Sequence, residues 1–133
     1  YQNALTQANL TSAADFVQDG GFSIAGGFVA MQRLLALEDQ PDAVFCANDE
    51  MAIGALKAIN DAGLKVPSDI GLVGFNDSEI CQYTTPSLTT IHKPIEQMAK
   101  LGGERLFQLI NNVEQTQTIQ ELTAELVIRD SVR

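Results

Sequence analysis

Residues 41–55 read Pro41-Asp42-Ala43-Val44-Phe45-Cys46-Ala47-Asn48-Asp49-Glu50-Met51-Ala52-Ile53-Gly54-Ala55. Pro41 cannot sit inside a helix, so whatever helix precedes it must stop. Ala43 to Ala47 is a continuous apolar run, the pattern expected of a strand buried on both faces. Asn48-Asp49 breaks the run, and Asp49 is suited to cap a helix over 50–62. In that helix Ala52, Ala55, Leu56 and Ile59 keep helical period and form the buried stripe. Gly63 then supplies the C-terminal stop. Strand, polar turn and helix in this order make one unit of a parallel sheet with crossover helices.

The flanking sequence repeats the unit. Upstream, Ser23 can cap a helix from about Ile24 to Leu37, with Ile24, Phe28, Met31, Leu34 and Leu35 in phase. Before it, Ala14-Asp15-Phe16-Val17 is a short strand candidate leading into Gly20-Gly21-Phe22. The chain opens in helical pattern, Tyr1, Leu5 and Ala8 sharing a face. No capping residue precedes Tyr1, as expected of a helix cut from a longer gene product. Downstream, Ile70 to Phe75 is a second apolar strand that also ends in a polar pair, Asn76-Asp77. Residues 78–86 read as irregular or briefly helical, and Leu88 to His92 as a short β-branched strand. Pro94 starts a further helix with Ile95, Met98, Ala99, Gly102, Leu106 and Ile110 as its stripe and Asn111-Asn112 at its end. Leu122, Ala124, Leu126 and Ile128 then alternate with Thr123, Glu125, Val127 and Arg129, the period of a half-exposed terminal strand. The expected fold class is α/β: an open, mostly parallel sheet with helices on both faces.

Composition narrows the function. The chain has 133 residues, 45% hydrophobic and 19% charged, enough for one packed core. Eight basic against seventeen acidic residues leave a formal charge of −9. This segment is therefore a poor binder of a phosphate backbone, which needs clustered cations. No apolar run approaches the roughly 20 residues of a membrane helix, and no signal-peptide pattern opens the chain. Cys46 and Cys81 are too few for a disulfide framework and lack metal-ligand spacing. Cys46, inside an apolar strand, reads as a small core hydrophobe.

In open parallel sheets, ligands bind beyond the carboxyl ends of the strands. Asn48 and Asn76 stand at two such ends. Each amide offers two donors and an acceptor, which suits a sugar or polyol hydroxyl pair. The same residue type also shapes strand-to-helix turns with no ligand involved. Asp49 and Asp77 lack the nucleophile or mismatched acid and base that catalysis needs, and capping accounts for Asp49. Phe22, after two glycines, either stacks on a sugar ring or fills the core. His92 has no metal-binding neighbours and reads as a hinge or surface residue. The glycine pairs at 20–21 and 26–27 do not make a phosphate loop, because no Gly-Lys-Ser/Thr follows. Neither a catalytic residue nor a metal or cofactor site is expected.

At this point a family pattern emerges. Residues 41–55 resemble the "pdA-hydrophobic-ANDxMAiGa" signature of LacI/GalR-type transcription regulators. Gly63 to Ile70 with Val73-Gly74-Phe75-Asn76-Asp77 resembles their next block, "GlxvPxDixvvGfDd". Pro86 to Ile91 is similar to "PxLTTi", and Leu126 to Ser131 to "LivRxS". The resemblance runs the whole chain in order and implies a bilobed, periplasmic-binding-protein-like effector core. It implies residues 1–88 as the C-terminal lobe without its first strand, 89–113 as a hinge crossover and helix of the N-terminal lobe, and 114–133 as terminal strand and tail.

The implied protein is a cytoplasmic homodimeric repressor, not an enzyme. It would sense a sugar or sugar phosphate and hold operator DNA through an N-terminal helix-turn-helix outside this chain. The resemblance places the effector against Asn48, Asn76 and Phe22, the hinge at Thr89, Thr90, Ile91 and His92, and a dimer interface at Ile53, Leu56 and Tyr83. Two positions depart from the pattern: Asn76 replaces the usual aspartate, and Gly21 an acidic residue often found before the aromatic. A neutral amide cannot give the charged acceptor that a carboxylate does. The alternative reading is a secreted sugar-binding protein of a transport system, which uses the same bilobed fold.

Overall fold

The computed structural model describes residues 1–10, 14–111 and 119–133. Its centre is a parallel pair, β1 (Ala43–Phe45) and β2 (Gly71–Val73), in register Val44 to Leu72. The ladder extends to a third segment, β3 (Thr90–His92), through parallel bridges Val73–Thr89 and Asn76–His92. A last strand, β4 (Glu125–Val127), runs antiparallel to β3 with Ile91 opposite Leu126. The tail returns into the same sheet, where the Leu72 amide donates to the Ser131 carbonyl at 2.8 Å. The mostly parallel α/β expectation is met.

Two helices cover this sheet. Helix α2 (Ile24–Leu35) is capped by Ser23, whose hydroxyl accepts from the Gly26 amide, as its sequence predicts. Helix α3 (Asp49–Asp61) buries Ala52, Ala55, Leu56 and Ile59, the stripe read from residue spacing. Gly63 follows with φ +76°, a conformation in which a Cβ costs energy, so the helix stops there. Met31, Ile59, Leu72 and Leu88 are the largest fully buried apolar side chains and join both helices to the sheet.

Two expectations of the fold are corrected, and one helix is left without a covering surface. Ala14–Phe16 is a 3-10 turn, not a strand: Val17 donates back to the Ala14 carbonyl and Gln18 to Asp15, so the local groups bond among themselves. Strand β1 is not buried on both faces, since Phe45 is 57% exposed and only Val44 and Cys46 turn inward. The apolar run was long enough for an interior strand, but β1 pairs on one side only among the described residues. The apolar stripe of α4 (Ile95–Ile110) covers no core, because no residue of that helix is buried. Asn111 ends α4 as expected, its side chain donating to the Phe107 carbonyl, whereas Asn112 lies outside the described residues. The opening helix, α1 (Gln2–Gln7), likewise buries nothing, and Tyr1 at its N-cap makes no side-chain capping bond.

Candidate functional site

The strands end side by side because their hydrogen bonds continue past them. The Cys46 amide donates to the Val73 carbonyl at 2.8 Å and the Asp49 amide to Phe75 at 3.1 Å. On the far side of β2, Gly74 donates to Thr89 and Asn76 to Ile91, both at 2.9 Å. Asn48, Asn76 and the residues after His92 are thereby carried to one end of the sheet, the end where open parallel sheets place ligands.

Asn48 has two duties. Its Oδ1 accepts from the Met51 amide at 2.8 Å and caps α3, while its Nδ2 donates to the Phe22 carbonyl at 3.3 Å. The amide keeps one further N–H and one lone pair for another partner. The expectation that Asp49 caps α3 is therefore wrong, because its neighbour does so. Asp49 is only 2% exposed, and its carboxylate accepts from the Ser78 amide and hydroxyl, each at 2.7 Å, and from Thr90 Oγ1 at 2.5 Å. It braces α3 against the turn after β2 and against β3. The residue type misled the sequence reading, since Asn and Asp serve equally well as caps and only the tertiary partners decide.

Asn76 has φ +115° and Asp77 φ +59°, so the chain turns sharply after β2. The Asn76 backbone is held by Ile91, and its side chain makes no hydrogen bond among the described residues. Phe22 has φ +52°, rare for an aromatic residue, and its ring is 69% exposed. That exposure removes the core-filling reading of Phe22. Such backbone costs on the order of 1–3 kcal/mol and persists where neighbours hold it, here the bond from Asn48.

The four residues expected at a hinge divide. Thr89 and Thr90 are fully buried: the Thr89 amide donates to Ser131 Oγ at 2.8 Å and its hydroxyl accepts from the Arg129 amide at 2.8 Å. Ile91 is half-buried, and His92 is exposed with Nδ1 3.0 Å from Asp77 Oδ2. Arg129 Nη2 donates to Asp77 Oδ1 at 2.7 Å, and its Nη1 donates to the Leu88 carbonyl at 2.8 Å. Arg129 was given no role from sequence, and a lone cation in the alternating tail, two residues before Ser131, was the available signal. Burial pushes the Asp77 carboxyl up, but the hydrogen bonds and charges of Arg129 and His92 outweigh it and hold the group below 3.8. A group whose folded value is depressed stabilises the fold above its unfolded value and loses that contribution as pH falls through the folded one. Asp77→Asn is therefore expected to lower the melting temperature at neutral pH, with the gap to the parent closing below about pH 4. A gap that persists unchanged at low pH in a melting series would contradict this.

Burial, with the charge of Asp49 second, pushes the Cys46 thiol up to about 12, which keeps it an inert core group. Of the three interface candidates, Leu56 is 7% exposed within the core, Ile53 is half-buried and Tyr83 is 70% exposed. Leu56 thus belongs to the buried stripe, the other reading its spacing allowed. Among the described residues no cluster of His, Cys, Asp and Glu has metal-holding geometry. Lys93, overlooked in sequence, places Nζ 5.8 Å from the Phe75 ring centroid at this same sheet end.

The strands thus present neutral amides at the carboxyl ends of a mostly parallel α/β sheet, beside an exposed aromatic residue. Residues 1–132 match the periplasmic binding protein-like domain family. The chain is 45% identical over 134 residues to the "Probable HTH-type transcriptional repressor ExuR" of Bacillus subtilis, covering 100% of this chain and 40% of that one. It superposes with TM-score 0.92 at 31% identity on the transcriptional regulator CelR in its cellobiose complex, over 98% of this chain and 40% of that one. On the lac repressor dimer bound to operator and the anti-inducer ONPF, the TM-score is 0.89 at 32% identity, over 98% and 45%. The chain therefore belongs to the periplasmic binding protein-like family in the form carried by LacI-type transcription regulators. It spans about two fifths of the length of the curated relatives it matches. These relatives are transcriptional repressors, which sets aside the secreted transport-protein alternative and gives no enzyme among them. No helix of the described residues is long and apolar enough to cross a membrane.

Proposed function

We propose that this chain is the effector-binding and dimerisation segment of a cytoplasmic LacI-type repressor that senses a sugar or sugar-like metabolite. Residues 1–88 form the C-terminal lobe, 89–113 the hinge crossover and a helix of the opposing lobe, and 114–133 the terminal strand and tail. The unburied stripe of α4 supports that division, since a helix with an apolar stripe and no buried residue awaits a partner surface. Asn48 and Asn76 hydrogen-bond the effector and Phe22 stacks on it. Ile53 and Tyr83 contact the second copy, and operator DNA is read by a helix-turn-helix outside this segment. Effector binding shifts the balance between two lobe arrangements through its unequal affinity for them. The observation that carries the reading is the juxtaposition of the Asn48 and Asn76 strand ends, with amide capacity left over at both. The relatives support it: one is a regulator complexed with cellobiose, another a repressor dimer on its operator.

The test is a thermal-shift screen of sugars and sugar phosphates on the full-length gene product. Asn48→Ser retains a capping oxygen but loses the amide. It is expected to keep the basal melting temperature within a few degrees and to weaken the responding ligand by about tenfold or more. An undiminished ligand shift in Asn48→Ser would remove Asn48 from the site.

A further inference from the structure

The tail after β4 carries two side chains that reach back over the approach to β3. The buried Ser131 hydroxyl donates to the Leu72 carbonyl at 2.6 Å and accepts from the Thr89 amide at 2.8 Å, which fixes the tail against β2 and β3. Two residues earlier the Arg129 guanidinium forks: Nη1 donates to the Leu88 carbonyl at 2.8 Å and Nη2 to Asp77 Oδ1 at 2.7 Å. Both side chains of this ion pair are largely buried, whereas His92, the second partner of Asp77, is exposed. Asp77 follows Asn76 in the turn after β2, with φ +115° at Asn76 and +59° at Asp77. Residues with a Cβ avoid that region, so such a turn keeps its shape only where surrounding groups hold it. Its backbone is held by the Asn76 amide donating to Ile91 at 2.9 Å and the Asp77 amide donating to Thr90 Oγ1 at 3.3 Å.

We infer that Arg129 is a positioning residue for the effector site: it fixes the Asp77 carboxylate and thereby sets the direction of the Asn76 amide. The inference rests on the reading of Asn76 as an effector contact and deepens it. The Asn76 side chain makes no hydrogen bond among the described residues, so the backbone beneath it decides where the amide points. Arg129 bonds Asp77 rather than Asn76, and its influence passes through that carboxylate. Of the two partners of Asp77, Arg129 counts for more. An exposed pair is weakened by water and salt, and histidine is charged only when protonated. A guanidinium is always charged, and its planar fork holds two acceptors at once in a set geometry. The two acceptors here lie on different segments, Leu88 just before β3 and Asp77 after β2. One side chain therefore locks the Asn76 turn to the crossover expected as the hinge.

Isothermal titration of the full-length gene product tests this, the probe being whichever sugar or sugar phosphate most raises the parent's melting temperature in the thermal-shift screen. Arg129→Gln removes the charge and the fork and is expected to weaken that probe about tenfold. Arg129→Lys restores the charge beside Asp77 and should recover part of the loss. Titrations run well below each variant's melting temperature, so that unfolding does not enter. Asn76→Gly, suited to a positive φ, removes the amide and is the reference. Because Arg129 acts through Asn76, Arg129→Gln/Asn76→Gly should bind no more weakly than Asn76→Gly alone. In protein labelled at asparagine, Arg129→Lys should move the NMR cross-peaks of Asn76 and leave those of Asn48 in place, a signature that a general loss of stability does not give. That measurement carries the test should Arg129→Gln fail to fold. Parent affinity in both Arg129 variants, unmoved Asn76 cross-peaks, or losses that multiply in the double variant would each overturn the inference and leave Asn76 as an effector contact. Undiminished binding in Asn76→Gly, or no response of the parent to any sugar, overturns the effector reading of Asn76 and the inference with it.

Discussion

Replacing Asp49 by alanine is expected to lower the unfolding free energy by about 3–5 kcal/mol, a large part of the stability of a single domain. The side chain is fully buried and receives three hydrogen bonds, from the Ser78 amide, the Ser78 hydroxyl and Thr90 Oγ1. Alanine removes the acceptor and leaves those donors facing a dry gap, and each unsatisfied buried group costs roughly 1–3 kcal/mol. Asn is the informative control. It keeps one acceptor oxygen but puts an NH2 where a second oxygen accepted, so Asp49→Asn should lose about half as much. Urea unfolding with an unchanged m-value is the measurement. A loss below about 1 kcal/mol in Asp49→Ala would show that water replaces the carboxylate and that the brace does not bear on the fold.

The same residue marks where sequence reading stops. Elements dictated by local chemistry were legible: the Ser23 cap, the period of α3 and its Gly63 stop all depend on a few consecutive residues. The strand ends carrying Asn48 and Asn76 were legible for the same reason, since a polar pair after an apolar run is a local signal. What depends on distant partners was not. Asp49 meets Ser78 and Thr90, 29 and 41 residues away, and nothing around Asp49 announces them. Arg129 reaches Asp77 across 52 residues, and the salt bridge surfaces only when β4 folds back along β3. The place of Lys93 over the Phe75 ring was invisible for the same reason, since the ring lies 18 residues before it in the chain. The α4 stripe is the reverse case. Its periodicity states that an apolar face needs covering, but periodicity cannot say which surface does so.

Gly54→Ala and Gly27→Ala are each expected to destabilise by about 3 kcal/mol or more, against the usual sign for helical glycines. In a helix with room for a methyl group, alanine is better than glycine by about 1 kcal/mol. Here there is none. A Cβ on Gly54 of α3 would stand 2.0 Å from the Ile24 carbonyl oxygen and 2.6 Å from the Phe28 amide nitrogen of α2. One on Gly27 of α2 would stand 2.2 Å from the Met51 carbonyl oxygen of α3. These obstacles are backbone, so no side-chain rotation relieves them and the helices must part. Parting them opens the seam that covers Met31 and Ala55 and pulls the start of α2 from the start of α3. Asn48 would then lose its bond to the Phe22 carbonyl, so ligand affinity should fall along with stability. The two sites share one seam, and a helix pair already forced apart by one methyl has room for the next. Gly27→Ala/Gly54→Ala should therefore cost less than the sum of the single changes. Chemical denaturation of the three variants reads this out, and a neutral or stabilising effect in either single variant would mean that the helices do not approach this closely in solution.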